Sequence, residues 1–145
     1  MRFGILLGTL FFGAALSSYA STINFDDLAD NGFGTSIASG YQGLSWTNFG
    51  VVNAQLYTNM FGASGYATAM TSAPNVAYAQ TGSPATFSAS TPFDLTSANM
   101  GAAWYDNLNV EVDGYIGANL AYTTTLVLSA SAATSESSTG LASLK

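Results

Sequence analysis

Residues 108–128 read LNVEVDGYIGANLAYTTTLVL and carry the clearest fold signal in the chain. Apolar and polar side chains alternate over residues 108–113, which is the pattern of a half-buried strand. The alternation returns over residues 120–128, after a short turn that contains Gly117. This stretch therefore predicts an antiparallel β-hairpin with one buried face.

Shorter stretches with strand-like patterns precede this hairpin. They are residues 22–26, 44–49, 75–80 and 85–89. The apolar pattern resumes over residues 51–57, and residues 58–74 are predicted as a loop that Tyr66 and Met70 anchor. We find no sustained helical period with capping signals. Short strands separated by turn residues are typical of an all-β sandwich or barrel.

The two ends of the chain differ from this β region. Residues 1–20 combine Arg2, an apolar run and the small-x-small site Ser18-Tyr19-Ala20, which is the pattern of a secretory signal peptide. An uncleaved N-terminal anchor is the alternative. We expect a β-sandwich domain over residues 21–128 and a flexible Ser/Thr-rich tail over residues 129–145. The expected product is secreted and extracellular, with no membrane span after signal cleavage.

Charge and composition exclude several classes of function. The chain has 2 basic and 8 acidic residues and a net charge of −6. Without a basic patch it cannot neutralise phosphates, so we expect no nucleic-acid partner. It has no His and no Cys, which removes the usual catalytic triads and transition-metal ligands. Only oxygen ligands remain, and these suit calcium.

Several stretches resemble a family of secreted β-sandwich proteins. Bacterial members often carry a PEP-CTERM sorting tail, and there are fungal relatives. The matching stretches are Ile23-Asn24-Phe25-Asp26-Asp27, residues 40–49, 64–68 and 91–98, and Ala102-Ala103-Trp104 with the strand that follows. The resemblance implies an antiparallel sandwich of the jelly-roll or galactose-binding type, and a role in binding extracellular surfaces or glycans.

The resemblance ends near residue 128. Family members continue with further apolar strands, whereas this chain continues with Ser129 and a Ser/Thr-rich segment. We therefore expect a sandwich that is incomplete at its C-terminal end. A truncated product or a misread gene would look the same.

Asn24, Asp26 and Asp27 form the first candidate site. Calcium takes six to eight oxygen ligands from carboxylates, amides and carbonyls. Related carbohydrate-binding sandwiches often hold a structural calcium near the first strand, so these residues are the candidate ligands. The alternative is a solvated acidic turn.

Aromatic side chains form the second candidate site. Sugar rings stack on aromatic faces, and polar-tipped aromatics also suit protein interfaces. Tyr41, Tyr66 and Tyr105 lie in loops rich in glycine or aspartate, so we predict that they are exposed and bind a ligand. Trp46 and Trp104 are flanked by apolar residues and are predicted to be core.

Paired carboxylates could also serve glycoside hydrolysis. The available residues are Asp94, Asp106, Glu111 and Asp113. Their number and spacing are what any acidic protein offers, and we expect no enzyme activity. The expected function is non-catalytic binding of an extracellular polysaccharide or glycan. The alternative is a secreted structural or host-interacting protein that binds a protein partner.

Overall fold

The computed structural model describes residues 21–137. The predicted signal peptide and residues 138–145 lie outside this range. Strands make up 37% of the structure and pair in antiparallel sheets, which confirms the all-β prediction. None of the helices in the described range is long and apolar enough to cross a membrane.

Nine strands are present in the described range. They are β1 (Thr35–Ser36), β2 (Ser45–Thr47), β3 (Phe49–Asn53), β4 (Asn75–Ala79), β5 (Thr86–Ser88), β6 (Ser97–Met100), β7 (Leu108–Ile116), β8 (Asn119–Leu128) and β9 (Thr134–Ser137). One sheet has three strands in the order β1-β3-β4, and three two-stranded sheets pair β2 with β5, β6 with β9 and β7 with β8. The predicted strands over residues 75–80 and 85–89 are confirmed. The range predicted as one strand over residues 44–49 is divided between β2 and β3, which belong to different sheets, because Asn48 between them is left-handed with φ 59°.

The hairpin predicted over residues 108–128 is confirmed. Strands β7 and β8 pair from Leu108 with Leu128 to Ile116 with Asn119, and Gly117 turns the chain with φ 61°. The inward face includes the buried Leu126 and Leu128. A bulge between Gly114 and Tyr115 shifts the register near the turn. Beyond a bulge the alternation no longer follows the same face, and Leu120 is accordingly 54% exposed.

Residues 22–26 are not a strand, and that prediction is wrong. Phe25 adopts a left-handed conformation with φ 66°, which interrupts an extended chain. Ile23 and Phe25 nevertheless pack against a buried cluster made by Ile37, Trp46 and Val51. We call this the Trp46 cluster. The apolar alternation at residues 22–26 reflects burial in a loop.

Two helices replace part of the predicted β and loop region. Helix α1 spans Ala54–Phe61 and helix α2 spans Gly65–Ala69. The Asn53 side chain caps α1 by accepting a hydrogen bond from the Leu56 N–H at 2.9 Å, and Gly62 with φ 92° follows its last residue. These caps contradict our expectation of no capped helix.

A second buried cluster lies beneath the helices. It comprises Val52, Ala54 and Val76, and we call it the Val52 cluster. Tyr66 and Met70 pack against it, which confirms that they anchor the segment between β3 and β4. The helices therefore cover one side of the three-stranded sheet.

The described part of the predicted tail, residues 129–137, contains a further strand, and the flexibility of the tail stays a prediction. Strand β9 pairs with β6, aligning Met100 with Thr134. Between the strands, the Asp106 carboxylate accepts hydrogen bonds from the Ala130 N–H at 2.9 Å and the Ser129 hydroxyl at 2.5 Å. These hydrogen bonds, together with the packing of Ala130 against the cluster of Leu126 and Leu128, position this serine-rich stretch, and an apolar pattern does not reveal the hydrogen bonds.

Candidate functional site

Six aromatic side chains contact one another around the two helices, and we call them the aromatic strip. They are Phe33, Tyr57, Phe61, Tyr66, Tyr78 and Trp104. Neighbouring ring centroids lie 4.8 Å apart for Tyr57 and Phe61, and 5.8 Å for Phe33 and Phe61. The Trp104 ring lies 5.9 Å from Tyr57 and 5.8 Å from Tyr66. The rings meet at tilted or edge-on angles, which aromatic pairs favour.

Helical spacing creates the centre of the strip. Tyr57 and Phe61 are four residues apart in α1, so their rings lie on the same side of the helix. Tyr66 is the second residue of α2 and Tyr78 belongs to β4. Residues distant in sequence therefore meet only because the helices fold onto the three-stranded sheet.

Trp104 joins the strip through a close backbone contact. The Gly65 N–H donates a hydrogen bond to the Ala103 carbonyl at 2.8 Å. A Cβ atom at Gly65 would overlap the Ala102 carbonyl group, so only glycine allows this approach. The contact fixes α2 against the residues immediately before Trp104.

The strip presents apolar ring surface to solvent. Phe33 is 69% exposed, Phe61 is 55% exposed and Trp104 is 56% exposed. Tyr57 and Tyr66 are half-buried and pack on the Val52 cluster. An exposed aromatic set on a packed base provides a preformed contact surface, because its rings need little ordering on binding.

The Tyr66 hydroxyl at the base of the strip stays neutral at neutral pH. Burial raises the pKa of Tyr66 above its ordinary value, and the neighbouring Tyr57 and Tyr78 hydroxyls raise it further. A neutral tyrosine hydroxyl both donates and accepts hydrogen bonds. The surface therefore combines apolar ring area with uncharged polar groups.

A groove lies between α1 and α2, and we call it the α1–α2 groove. It has a volume of about 350 Å³ and is lined by Ala54, Gln55, Thr58, Asn59, Ala67 and Met70. The groove and the strip share both helices, and the helical period places Gln55 and Asn59 on the side of α1 opposite Tyr57 and Phe61. The Thr58 hydroxyl oxygen is buried without a hydrogen-bond partner in the described residues. Gln55 and Asn59 are exposed amides that can donate and accept hydrogen bonds.

The three tyrosines predicted to bind ligand do not share one site. Tyr66 belongs to the aromatic strip. Tyr41 is half-buried, and its ring packs 5.9 Å from Phe25 within the Trp46 cluster. Tyr105 is 82% exposed and follows Trp104 in the chain.

Tyr41 has a structural partner. Its hydroxyl donates a 2.6 Å hydrogen bond to the Asp27 carboxylate. Burial, followed by this hydrogen bond and the negative charge of Asp27, raises the pKa of Tyr41 to about 12. The bond ties the N-terminal turn to the 3₁₀ helix Tyr41–Gly43.

The side-chain oxygens that were predicted to bind calcium instead accept hydrogen bonds from other groups of the chain. The Asn24 side-chain oxygen accepts from the Asp26 N–H at 3.3 Å, and Asp26 accepts from the Asn75 N–H at 3.1 Å. Asp27 accepts from Tyr41. No group of three or more acidic side chains in residues 21–137 is placed to hold a metal ion. These bonds fit an acidic turn better than a calcium site, and the calcium site stays a prediction.

Asp30 also serves the fold. Its carboxylate accepts from the Gly32 N–H at 2.7 Å, the Asn53 N–H at 2.9 Å and the Thr35 hydroxyl at 2.9 Å. Burial raises the pKa of this carboxyl, but these hydrogen bonds together bring it below its ordinary value. The residue therefore ties the loop before β1 to the start of α1.

Two of the carboxylates considered for glycoside hydrolysis also accept hydrogen bonds from the chain. Asp106 holds the segment after β8, and the hydrogen bonds from Ser129 and Ala130 lower its pKa. Asp113 accepts a 3.3 Å hydrogen bond from the Tyr115 hydroxyl.

The two tryptophans differ in burial. Trp46 is 9% exposed, as expected for core, and its indole N–H donates to the Tyr41 carbonyl at 2.9 Å. The prediction that Trp104 is core is wrong, because this residue lies in a loop where strand alternation does not apply. Sequence reasoning also overlooked Phe33 and Phe61. The four-residue spacing of Tyr57 and Phe61 was the available signal for Phe61.

Comparison with known proteins found no match: no family model, no curated protein and no solved structure matches this chain. The resemblance to the secreted β-sandwich family stays a prediction. The aromatic strip must therefore be interpreted from its own chemistry.

Proposed function

We propose that this protein is a secreted, non-catalytic binding protein that recognises an extracellular polysaccharide or glycan. The aromatic strip with the exposed Trp104 is the observation that carries the proposal. The C–H faces of sugar rings pack on aromatic rings, and aromatic surfaces with a polar edge suit ligands that are apolar on one face and polar on the other.

The α1–α2 groove supplies the polar half of the proposed site. Gln55 and Asn59 line the groove, and their amides match the hydroxyl groups of a sugar in donating and accepting hydrogen bonds. Binding sites usually combine apolar walls with a few placed polar groups.

The hydrogen bonds of Asp30 and Asp106 favour a structural role for these two carboxylates over a role in hydrolysis. Glycoside hydrolysis needs a carboxylic acid whose pKa is raised so that it can donate a proton. The pKa values of Asp30 and Asp106 are instead lowered by hydrogen bonds from the chain. Both carboxylates therefore stay ionised at neutral pH and hold loops together.

We also propose that the antiparallel sheets belong to a jelly-roll type of sandwich and that the protein is exported. The antiparallel pairing supports the first point, and the signal-like N-terminus supports the second. Expression in a secreting host tests export. N-terminal sequencing of the protein in the medium should begin at Ser21, and a protein that stays in the cell fraction with residues 1–20 still attached would contradict export.

Depletion of the purified protein by insoluble chitin, cellulose and β-1,3-glucan tests the glycan proposal. We expect one polymer to deplete the protein. Trp104→Ala should weaken that binding about tenfold, because exposed tryptophans dominate such contacts. Tyr115→Ala is the matched control, since Tyr115 is 54% exposed on β7 but lies outside the strip. Equal weakening by both variants, or no depletion by any polymer, would contradict the proposal.

The same assay tests calcium. A chelator should leave depletion unchanged if Asn24, Asp26 and Asp27 only form an acidic turn. Loss of depletion on chelation, reversed by added calcium, would restore these residues as ligands.

A protein partner is the second candidate function. Leu56 and Met60 are 42% and 44% exposed on α1, next to the aromatic strip, and extend its apolar area. Exposed apolar patches of this kind mark interaction surfaces. A folded protein that no polysaccharide depletes would favour this second function over the first.

A further inference from the structure

We infer that the aromatic strip and the α1–α2 groove select uncharged sugar units and reject glycans that carry carboxylates or sulfates. This inference rests on the proposed glycan-binding function and specifies the ligand's chemical class. Its basis is the charge distribution of the described residues.

The site itself contains no charged side chain. The strip consists of Phe, Tyr and Trp, and the groove contributes Ala, Gln, Thr, Asn and Met. Proteins recognise carboxylate and sulfate groups mainly with Arg or Lys, which supply charge-assisted hydrogen bonds. An anionic sugar placed on this surface would lose water without gaining a cationic partner.

The rest of the described chain adds repulsion. The two basic residues are Arg2 and Lys145, and both lie outside residues 21–137. The eight acidic residues all lie within that range, so its formal charge is −8. A surface of one sign raises the local concentration of neutral and cationic ligands relative to anionic ones.

The Tyr66 hydroxyl adds no charge to the site. The Tyr66 hydroxyl has a raised pKa caused by burial and by Tyr57 and Tyr78, so it carries no charge at neutral pH. It can hydrogen-bond a sugar hydroxyl or an N-acetyl group without a charge penalty. Uncharged sugars, including N-acetylated ones, therefore match the site.

The test compares each neutral polymer with its carboxymethylated form. Affinity electrophoresis would use hydroxyethyl cellulose, glycol chitin and β-1,3-glucan beside carboxymethyl cellulose, carboxymethyl chitin and carboxymethyl β-1,3-glucan. Parallel samples with and without a chelator show whether divalent cations bridge the anionic polymer to the protein. The repulsion between the acidic protein and the anionic polymer acts at about 20 mM NaCl and is screened at about 0.5 M NaCl. Measurements at both concentrations therefore show how much of the affinity difference is electrostatic.

We expect the protein to bind one neutral polymer with little salt dependence. Its carboxymethylated form should bind about tenfold more weakly at low salt and partly recover at high salt. Equal or tighter binding of the carboxymethylated form would overturn the inference and leave the glycan proposal intact. Failure to bind any neutral or anionic polymer would overturn the glycan proposal and the inference with it.

A pair of variants at the groove tests the same point by changing its charge. Gln55→Lys should raise the ratio of anionic to neutral affinity about threefold, and Gln55→Glu should lower it. The ratio within each variant cancels any general loss of affinity. An unchanged ratio in both variants would show that charge at this site does not select the ligand and would overturn the inference.

Discussion

Gly65 and Ala102 lie so close that no side chain fits between them. A Cβ atom built on Gly65 would overlap the Ala102 carbonyl group, and the Gly65 N–H donates to the neighbouring Ala103 carbonyl at 2.8 Å. Gly65 begins α2, and Ala102 precedes Trp104 by two residues. This contact therefore sets the position of Trp104 relative to Tyr66.

Gly65→Ala should destabilise the protein by about 2 kcal/mol, because the added methyl group forces the two backbone segments apart. It should also weaken polysaccharide binding, since Trp104 moves away from the strip. Urea unfolding and polymer depletion measure the two effects. Gly82→Ala is the control: no atom lies near its added Cβ, and its free energy of unfolding should change by less than about 0.5 kcal/mol. Equal stability of the two variants would contradict the close contact.

Asp30→Ala should lower the free energy of unfolding by about 2–4 kcal/mol. The substitution leaves the N–H groups of Gly32 and Asn53 without their acceptor in a part-buried position. Asp30→Asn keeps one oxygen for these donors and should cost about 1 kcal/mol. Chemical denaturation of both variants measures the difference. Equal losses would show that the two backbone hydrogen bonds contribute little.

Tyr41→Phe should reduce stability at neutral pH by about 1 kcal/mol, because it removes the hydrogen bond to the exposed Asp27, where water screens the charge. The folded-state pKa of about 12 lies above the unfolded value of about 10. The stabilisation is therefore complete below about pH 10 and is lost as the pH rises towards about 12.

The difference in unfolding free energy between the original protein and Tyr41→Phe should accordingly shrink over that interval. Comparing two variants cancels the titration of the other tyrosines. Denaturation at neutral pH, near pH 10 and near pH 12 measures this difference in unfolding free energy. A constant difference across all three would contradict the assigned pKa.

Leu128→Ala should cost about 2–4 kcal/mol, because Leu128 is 4% exposed and its removal leaves a cavity beside Leu126 and Ala102. The neighbouring Val127 is 59% exposed on the opposite face of β8. Val127→Thr keeps a β-branched side chain and should change stability by less than about 0.5 kcal/mol. Thermal unfolding measures the stability of the Leu128→Ala and Val127→Thr variants. Similar losses of stability in the two would show that the hairpin does not bury the predicted face.

Local pattern predicted the strands well where one face is buried. The alternation over residues 108–113 and 120–128 predicted the hairpin, because one buried face imposes a period of two. The same reasoning failed at residues 22–26, where burial occurs in a loop around the left-handed Phe25. Apolar alternation reports burial, and only pairing with another strand makes a β-strand.

The helices and the aromatic strip were harder to predict. Helix α1 is eight residues long, and its start depends on one side-chain cap at Asn53. Short helices gain most of their stability from tertiary packing, which one sequence does not display. Trp104 and Tyr57 are distant in sequence and come into contact only in the folded chain, so the sequence does not reveal the strip. The hydrogen-bond donors to the carboxylates of Asp26, Asp27 and Asp30 could not be predicted for the same reason.

The aromatic strip spans two separately packed parts of the molecule. Tyr57 and Tyr66 rest on the Val52 cluster, whereas Trp104 follows Ala102, which belongs to a cluster with Leu126 and Leu128. Regions with separate buried clusters can open at different rates, which amide hydrogen exchange distinguishes. Opening of the hairpin region would carry Trp104 away while both tyrosines stay in place. If the protein binds glycan as proposed, the rate of that local opening would limit how long the ligand stays bound.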